Sequence, residues 1–184
     1  YFPTPVNDAT YTAYFNVLYR NADNPQQVAP GLFYRYYKGT WSSLPDFNAL
    51  TPFLTGTVST FSLVSKTKAD NFGFVYNGFV QVPADGFYTF YLNSDDGSRL
   101  YIGSQLLIDN DGNHAAVELS GMIGLRAGLH AIRVDYFEGT GSQILTVSYS
   151  GNTIPKQPIP ASALYRYSGA NSIEPVSDAY VRAG

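Results

Sequence analysis

The stretch YLNSDDGSRLYIG, residues 91–103, sets two aspartates side by side, Asp95 and Asp96, with Gly97 directly after them. Aromatic and aliphatic residues flank the pair on both sides. In a regular strand neighbouring side chains point to opposite faces, so adjacent carboxylates address one target only if the backbone turns sharply between them. Gly97 eases such a turn because glycine tolerates positive φ. Carboxylates that converge without a cation repel, and the pKa of one is raised. A hard cation removes that repulsion, and carboxylate and carbonyl oxygens are the ligands Ca²⁺ prefers. The same tripeptide also makes a good solvated turn, because Asp caps local N–H groups and Gly supplies left-handed backbone. Both readings stand on the tripeptide alone.

Other polar residues carry weaker chemistry. DNDGNH (109–114) opens like an EF-hand loop with Asp109 and Asp111, but its twelfth position is Ser120 instead of Glu and no helices flank it. It reads as a loop held by Asx turns, with an ion as the alternative. His114 and His130 lack metal-ligand spacing, and His130 falls in an alternating strand as a hydrogen-bonded packing residue. Trp41 is the sole tryptophan, and its ring suits either a sugar platform or a core. Glycoside hydrolysis needs two carboxyl groups roughly 5–9.5 Å apart across the bond. An aspartate pair on one ion is too close and too neutralised for separate acid and base roles. Nothing in the sequence ties Glu118 or Glu138 to a cleft, and there is no nucleophile elbow or phosphate loop. The chain is read as a binder, not an enzyme.

The elements that must position these residues read as strands. FGFVYNGFVQV (72–82) alternates, with Phe72, Phe74 and Tyr76 on one face. PADG (83–86) is a turn, and FYTFYLN (87–93) a strand. SRLYIGSQLLIDN (98–110) is a hairpin with Gly103 and Ser104 at its tip. From 118 a strand runs to a turn at 127–128. His130, Ile132, Val134 and Tyr136 then alternate with Ala131, Arg133, Asp135 and Phe137. GTGS (139–142) turns again into QILTVSY (143–149). GLFYRYYKGTW (31–41) is strand, LPDFNALTPFLTGTV (44–58) an irregular connection, and YTAYFNVLY (11–19) fits helix or strand. Short strands at this spacing indicate an all-β antiparallel sandwich or barrel.

Composition agrees. With 184 residues, 16 Tyr, 12 Phe, 17 Gly and 11 Pro, the chain has the makings of one all-β domain. A net charge of −3 without a basic run argues against nucleic acid. No apolar run reaches membrane-spanning length, so no membrane insertion is expected. Cysteine is absent, which removes disulfides and thiolate chemistry. Without an initiator Met or an N-x-S/T sequon, the chain reads as a mature or excised piece of a bacterial protein.

YTFYLNSDDGSRLYIGSQLLIDNDGNHA followed by SGMIGLRAGLHAIRVDYFEGTGSQILTVSY resembles the core of the PA-fourteen family, named after the protective antigen of anthrax toxin. The likeness is continuous from Phe72 to Tyr149 and extends more weakly to GLFYRYY and IPASALY. It implies an antiparallel β-sandwich over 31–167, an N-terminal extension (1–30) packed on it, and a tail or linker (168–184). In the lectin members of that family two aspartates hold Ca²⁺ across a cis peptide, and the ion ligates vicinal hydroxyls of a terminal sugar. The resemblance assigns those roles to Asp95 and Asp96, with a cis bond between them. It assigns further ligands to the loop EGTGSQ (138–143): the Gln143 side chain and carbonyls at Gly141 and Ser142. Asp109 and Asp111 would border the sugar or ligate an ion. The implied cofactor is calcium and the implied partners are glycans. The implied setting is extracellular or on the cell surface, in a larger adhesin or carbohydrate-active protein. The alternative is a structural spacer on a glycosidase.

Overall fold

Alternation of aromatic and small residues builds the core directly. Phe72, Phe74 and Tyr76 on one strand, and Ile132, Val134 and Tyr136 on its neighbour, all point inward and are fully buried. The computed structural model describes residues 19–168. Its strands are β1 (Val28–Pro30), β2 (Leu32–Lys38), β3 (Leu54–Val58), β4 (Phe72–Val82), β5 (Gly86–Asp95) and β6 (Ser98–Ile102). They continue with β7 (Gln105–Asn110), β8 (Val117–Leu125), β9 (Gly128–Glu138), β10 (Ile144–Gly151), β11 (Ile154–Pro158) and β12 (Leu164–Tyr167).

Two antiparallel sheets face each other, as the sequence predicts for an all-β sandwich. One runs β1-β12-β4-β9-β6-β7, with β2 also on β4 and β3 on β2. The other runs β11-β10-β5-β8. Register sets Tyr36, Phe74 and Tyr136 opposite one another on β2, β4 and β9. From the second sheet Tyr88, Phe90, Leu92, Val147 and Tyr149 pack into the same core. The rings of Tyr36 and Phe74 are tilted at 49° with centroids 4.9 Å apart, and those of Phe74 and Tyr76 are stacked at 14° with centroids 5.4 Å apart. Such pairs add to the area that the rings bury.

The strand and hairpin readings between 72 and 149 agree with the structure, including Gly103 and Ser104 at the β6–β7 tip. The stretch read as irregular differs, because it contains β3, an edge strand that is largely exposed and gives no core-facing alternation. β5 runs on to Asp95, so the aspartate pair begins inside a strand. Val28–Pro30, placed in the extension by sequence, pairs with β12. Arg20, Asp23 and Asn24 bond to the backbone of Gly124 and Leu129. The segment YTAYFNVLY lies outside the described residues except for Tyr19, as does the tail beyond Ser168. Among the described residues no helix is long and apolar enough to cross a membrane.

Phe74 lies at the centre of the ring cluster and is fully buried. Phe74→Ala should cost about 3–5 kcal/mol, read as a fall in the urea midpoint with the slope unchanged.

Candidate functional site

Asp95 closes β5 and Ser98 opens β6, so the aspartate pair sits where the chain leaves one sheet for the other. The inward row of β5 runs Tyr88, Phe90, Leu92, Ser94, and Asp96 is the next residue of that alternation. The inward row of β9 runs Ile132, Val134, Tyr136, and Glu138 comes next. Both rows therefore end in a carboxylate at the same end of the sandwich. The peptide between Asp95 and Asp96 is cis.

Asp95, Asp96 and Glu138 converge there, with one carboxylate oxygen from each within 4.8 Å of the others. Asp96 is 7% exposed and is held on both oxygens: Oδ1 accepts from the His114 N–H at 3.0 Å and Oδ2 from the Gly139 N–H at 2.9 Å. The Tyr136 hydroxyl lies 2.6 Å from the Asp95 carbonyl and 3.0 Å from Glu138 Oε2. Below it, Ser94 and Ser98 share a 2.6 Å hydrogen bond, and the Asn110 side chain donates to Ser94 Oγ. This buried polar layer ties β5, β6 and β7 together beneath the carboxylates.

Gly97 serves a different purpose from the one predicted. Its φ is not positive. A Cβ there would lie 2.4 Å from the Phe137 ring and 2.8 Å from the Gly112 nitrogen. Close approach of β9 and the 111–114 loop excludes a side chain, and the Gly97 carbonyl accepts from the Phe137 N–H.

Glu138 is the residue that sequence reasoning missed. Its side chain is 0% exposed, and Oε1 has no hydrogen-bond partner. Burial pushes its pKa up to about 7. The Tyr136 hydroxyl opposes the shift, and the charges of Asp96, Asp95 and Asp70 add to it. A buried polar atom without a partner is costly, and here it belongs to a carboxylate grouped with two more. The signal was present in the sequence: Glu138 continues the alternation His130, Ile132, Val134, Tyr136 that the sequence places on one face.

The other predicted residues are distributed unevenly. Asp109 and Asp111 pair with Arg99 at 3.0 and 3.2 Å, and Asp111 Oδ1 also caps the Leu44 and Gly112 N–H groups. Neither belongs to the convergent carboxylate group. Gly141 and Ser142 lie exposed in the loop after β9, where the Gly141 N–H donates to Asp70. The Gln143 amide nitrogen donates to the Ala69 carbonyl, which leaves Oε1 as its free acceptor. Trp41 packs half-buried on Phe47 beside Tyr37 and Val75. An ideal Cβ at Gly139 would stand 3.1 Å from Asp96 Oδ2, 3.7 Å from Asn113 Oδ1 and 4.0 Å from the Trp41 carbonyl, so oxygens line this corner from three loops. His130 is buried and bonded at both ring nitrogens, to Arg20 and to the Arg126 carbonyl, as its packing role requires.

An all-oxygen set with three carboxylates, one of them holding an unpartnered buried oxygen, fits a hard divalent cation such as Ca²⁺. Soft thiolate donors are absent from the chain.

The family model of the PA14 domain matches residues 28–163. The chain belongs to the PA14 (PA-fourteen) family. Among curated proteins it is similar to the anti-sigma-I factor RsgI3 of Acetivibrio thermocellus, 33% identical over 101 residues, covering 54% of this chain and 16% of the relative. Among solved structures it is similar to an anti-sigma factor domain-containing protein: TM-score 0.67, 25% identity, 77% of this chain and 50% of the other. A PA14 sugar-binding domain from an RTX adhesin shares the fold, with TM-score 0.58, 19% identity, and 74% and 98% coverage. This chain thus spans about half of the first solved relative and a much smaller share of the curated one.

Glu138 makes metal-free stability depend on pH. Its folded pKa lies above the ordinary carboxylate value of 4.5, so the folded state holds the proton more tightly than the unfolded chain. Stability in chelator should therefore fall as pH rises from 4.5 through about 7. His114 acts in the same direction: burial lowers its pKa, but the Asn110 and Ala115 carbonyls and the aspartates outweigh this and raise it. Glu138→Gln should flatten the Glu138 part of the decline in a melting-temperature series across that range.

Proposed function

We propose that this PA14 domain is a calcium-dependent carbohydrate-binding module. One observation carries the reading: Glu138, fully buried and with Oε1 unpartnered, brings a carboxylate oxygen within 4.8 Å of those of Asp95 and Asp96 at the end of the sandwich. Calcium bound there would supply a Lewis-acidic centre for hydroxyl oxygens. Asp95, Asp96 and Glu138 would hold it, with Gln143 Oε1 and carbonyls at Gly141 and Ser142 as further donors from the loop after β9. That loop carries Gly139, packed against Asp96, and Gly141, beside which there is open space. Two vicinal hydroxyls of a terminal sugar would replace water on the open side. Asp109 and Asp111, engaged by Arg99, would shape the rim from outside the ion's shell.

A shallow site covers little ligand, so single-site affinity is weak and is multiplied by repetition or tethering. The sugar-binding adhesin domain of the same fold supports the glycan reading. The parent protein need not be an adhesin. The 33% identity with part of an anti-sigma factor favours a second setting, in which sugar occupancy of an extracellular module is the input to a regulator. In either setting the module binds and does not catalyse.

Calcium at about a hundredfold over its Kd should stabilise by about 2.7 kcal/mol and raise Tm by about 5–10 °C, reversed by chelator. Asp96→Ala should remove that shift and all chelator-sensitive signals on a glycan array. A wild-type melt indifferent to calcium would remove the basis of the reading.

A further inference from the structure

The carboxylates that hold an ion also fix the charge of the site once it is filled. Asp95, Asp96 and Glu138 bring three negative charges to one divalent cation, which leaves one in excess. Asp70 adds to the field at Glu138. The cations carried by the neighbouring strands are already committed. Arg99 on β6 pairs with Asp109 and Asp111, and Arg133 on β9 is bidentate to Asp135. His114 gives Asp96 its backbone N–H, while its ring faces the Asn110 and Ala115 carbonyls.

We propose that Glu138 makes the calcium-filled site a charge filter, which favours amino sugars, accepts neutral sugars and rejects acidic ones. The inference rests on the calcium-dependent sugar reading and adds the ligand class to it. The excess charge sits on a fully buried side chain, and salt screens buried charges far less than exposed ones. A sugar whose diol ligates the ion carries its other substituents within about 10 Å of that charge, roughly one Debye length at 0.1 M salt, so a carboxylate there is repelled and an ammonium attracted. Glutamine at 138 would keep an oxygen donor of the same shape and leave a neutral filled site.

The test is an array of matched trios: glucosamine-, glucose- and glucuronate-terminated glycans, with the galacto counterparts. Within each trio the C3 and C4 hydroxyls are the same. In calcium, acidic members should bind more weakly than their neutral partners by about tenfold or more, and amino members more tightly than the neutral ones. Glu138→Gln, assayed at calcium concentrations high enough to saturate its weakened site as read by Tm, should compress that spread. Acidic glycans bound as well as neutral ones by a calcium-stabilised protein would overturn the charge filter and leave the sugar site standing. A spread unchanged in Glu138→Gln would overturn it equally. An array silent in calcium would overturn both.

Discussion

Three carboxyl groups with oxygens within 4.8 Å of one another cannot all be charged without a counterion, and one of the three is sealed from water. In water the repulsion would be dispersed by hydration. Inside the sandwich it is expressed as a proton held tightly on Glu138, and a bound cation would relieve it. The surrounding architecture serves to keep the groups together against that repulsion. Backbone N–H groups of His114 and Gly139 fix Asp96 from two loops, and Tyr136 holds the Asp95 carbonyl and Glu138 from below. A site assembled from exposed side chains would let its carboxylates swing apart. Here Glu138 closes the inward row of β9 and Asp96 directly follows β5, and those strands cannot move without disturbing the aromatic core.

This placement also explains the chemistry at the join. The chain must cross from one sheet to the other between Asp95 and Ser98, and a crossover leaves backbone groups outside both ladders. Those groups are used locally: the Asp95 carbonyl by Tyr136, and the Gly97 carbonyl by Phe137. Satisfied in this way, the crossover becomes rigid enough to act as a ligand scaffold.

How much of this was legible depended on whether a residue's neighbours were near in sequence. The strands of 72–149 show their period because each has one face against the core, and the turns between them carry Gly, Asp and Pro. Asp95 and Asp96 stood out because two adjacent charges between aromatic runs violate that period. Glu138 followed the period, and its meaning emerged only when β9 was laid beside β6, with Ser98 opposite Tyr136. Extending that register by two residues brings Asp96 toward Glu138, a relation between residues 42 apart that no local pattern encodes. Gly97 reads in sequence as a source of backbone freedom, whereas in the structure it makes room for Phe137, again a tertiary fact. The edge strand β3 left little trace because an exposed strand has little hydrophobic face to show.

The route of the chain through the sandwich bears on how such a site is used. Val28 pairs with Tyr167, so the first and last strands of the described residues lie side by side. β12 pairs with Phe79 and Val80 of β4, while the opposite end of β4, at Phe72, pairs with Glu138. Eight strand residues separate Phe72 from Val80, about 26 Å at the usual rise. Arg20, Asp23 and Asn24 join the far end as well, beside Leu125 and Leu129. The carboxylate corner thus lies at the opposite end of β4 and β9 from the rungs that residues 20–24 cover, while β12 runs from Leu164 toward it. An ion held there would meet its ligand over the loops after β5, β7 and β9, which carry Asp96, His114 and Gly139, and not over the 20–24 segment.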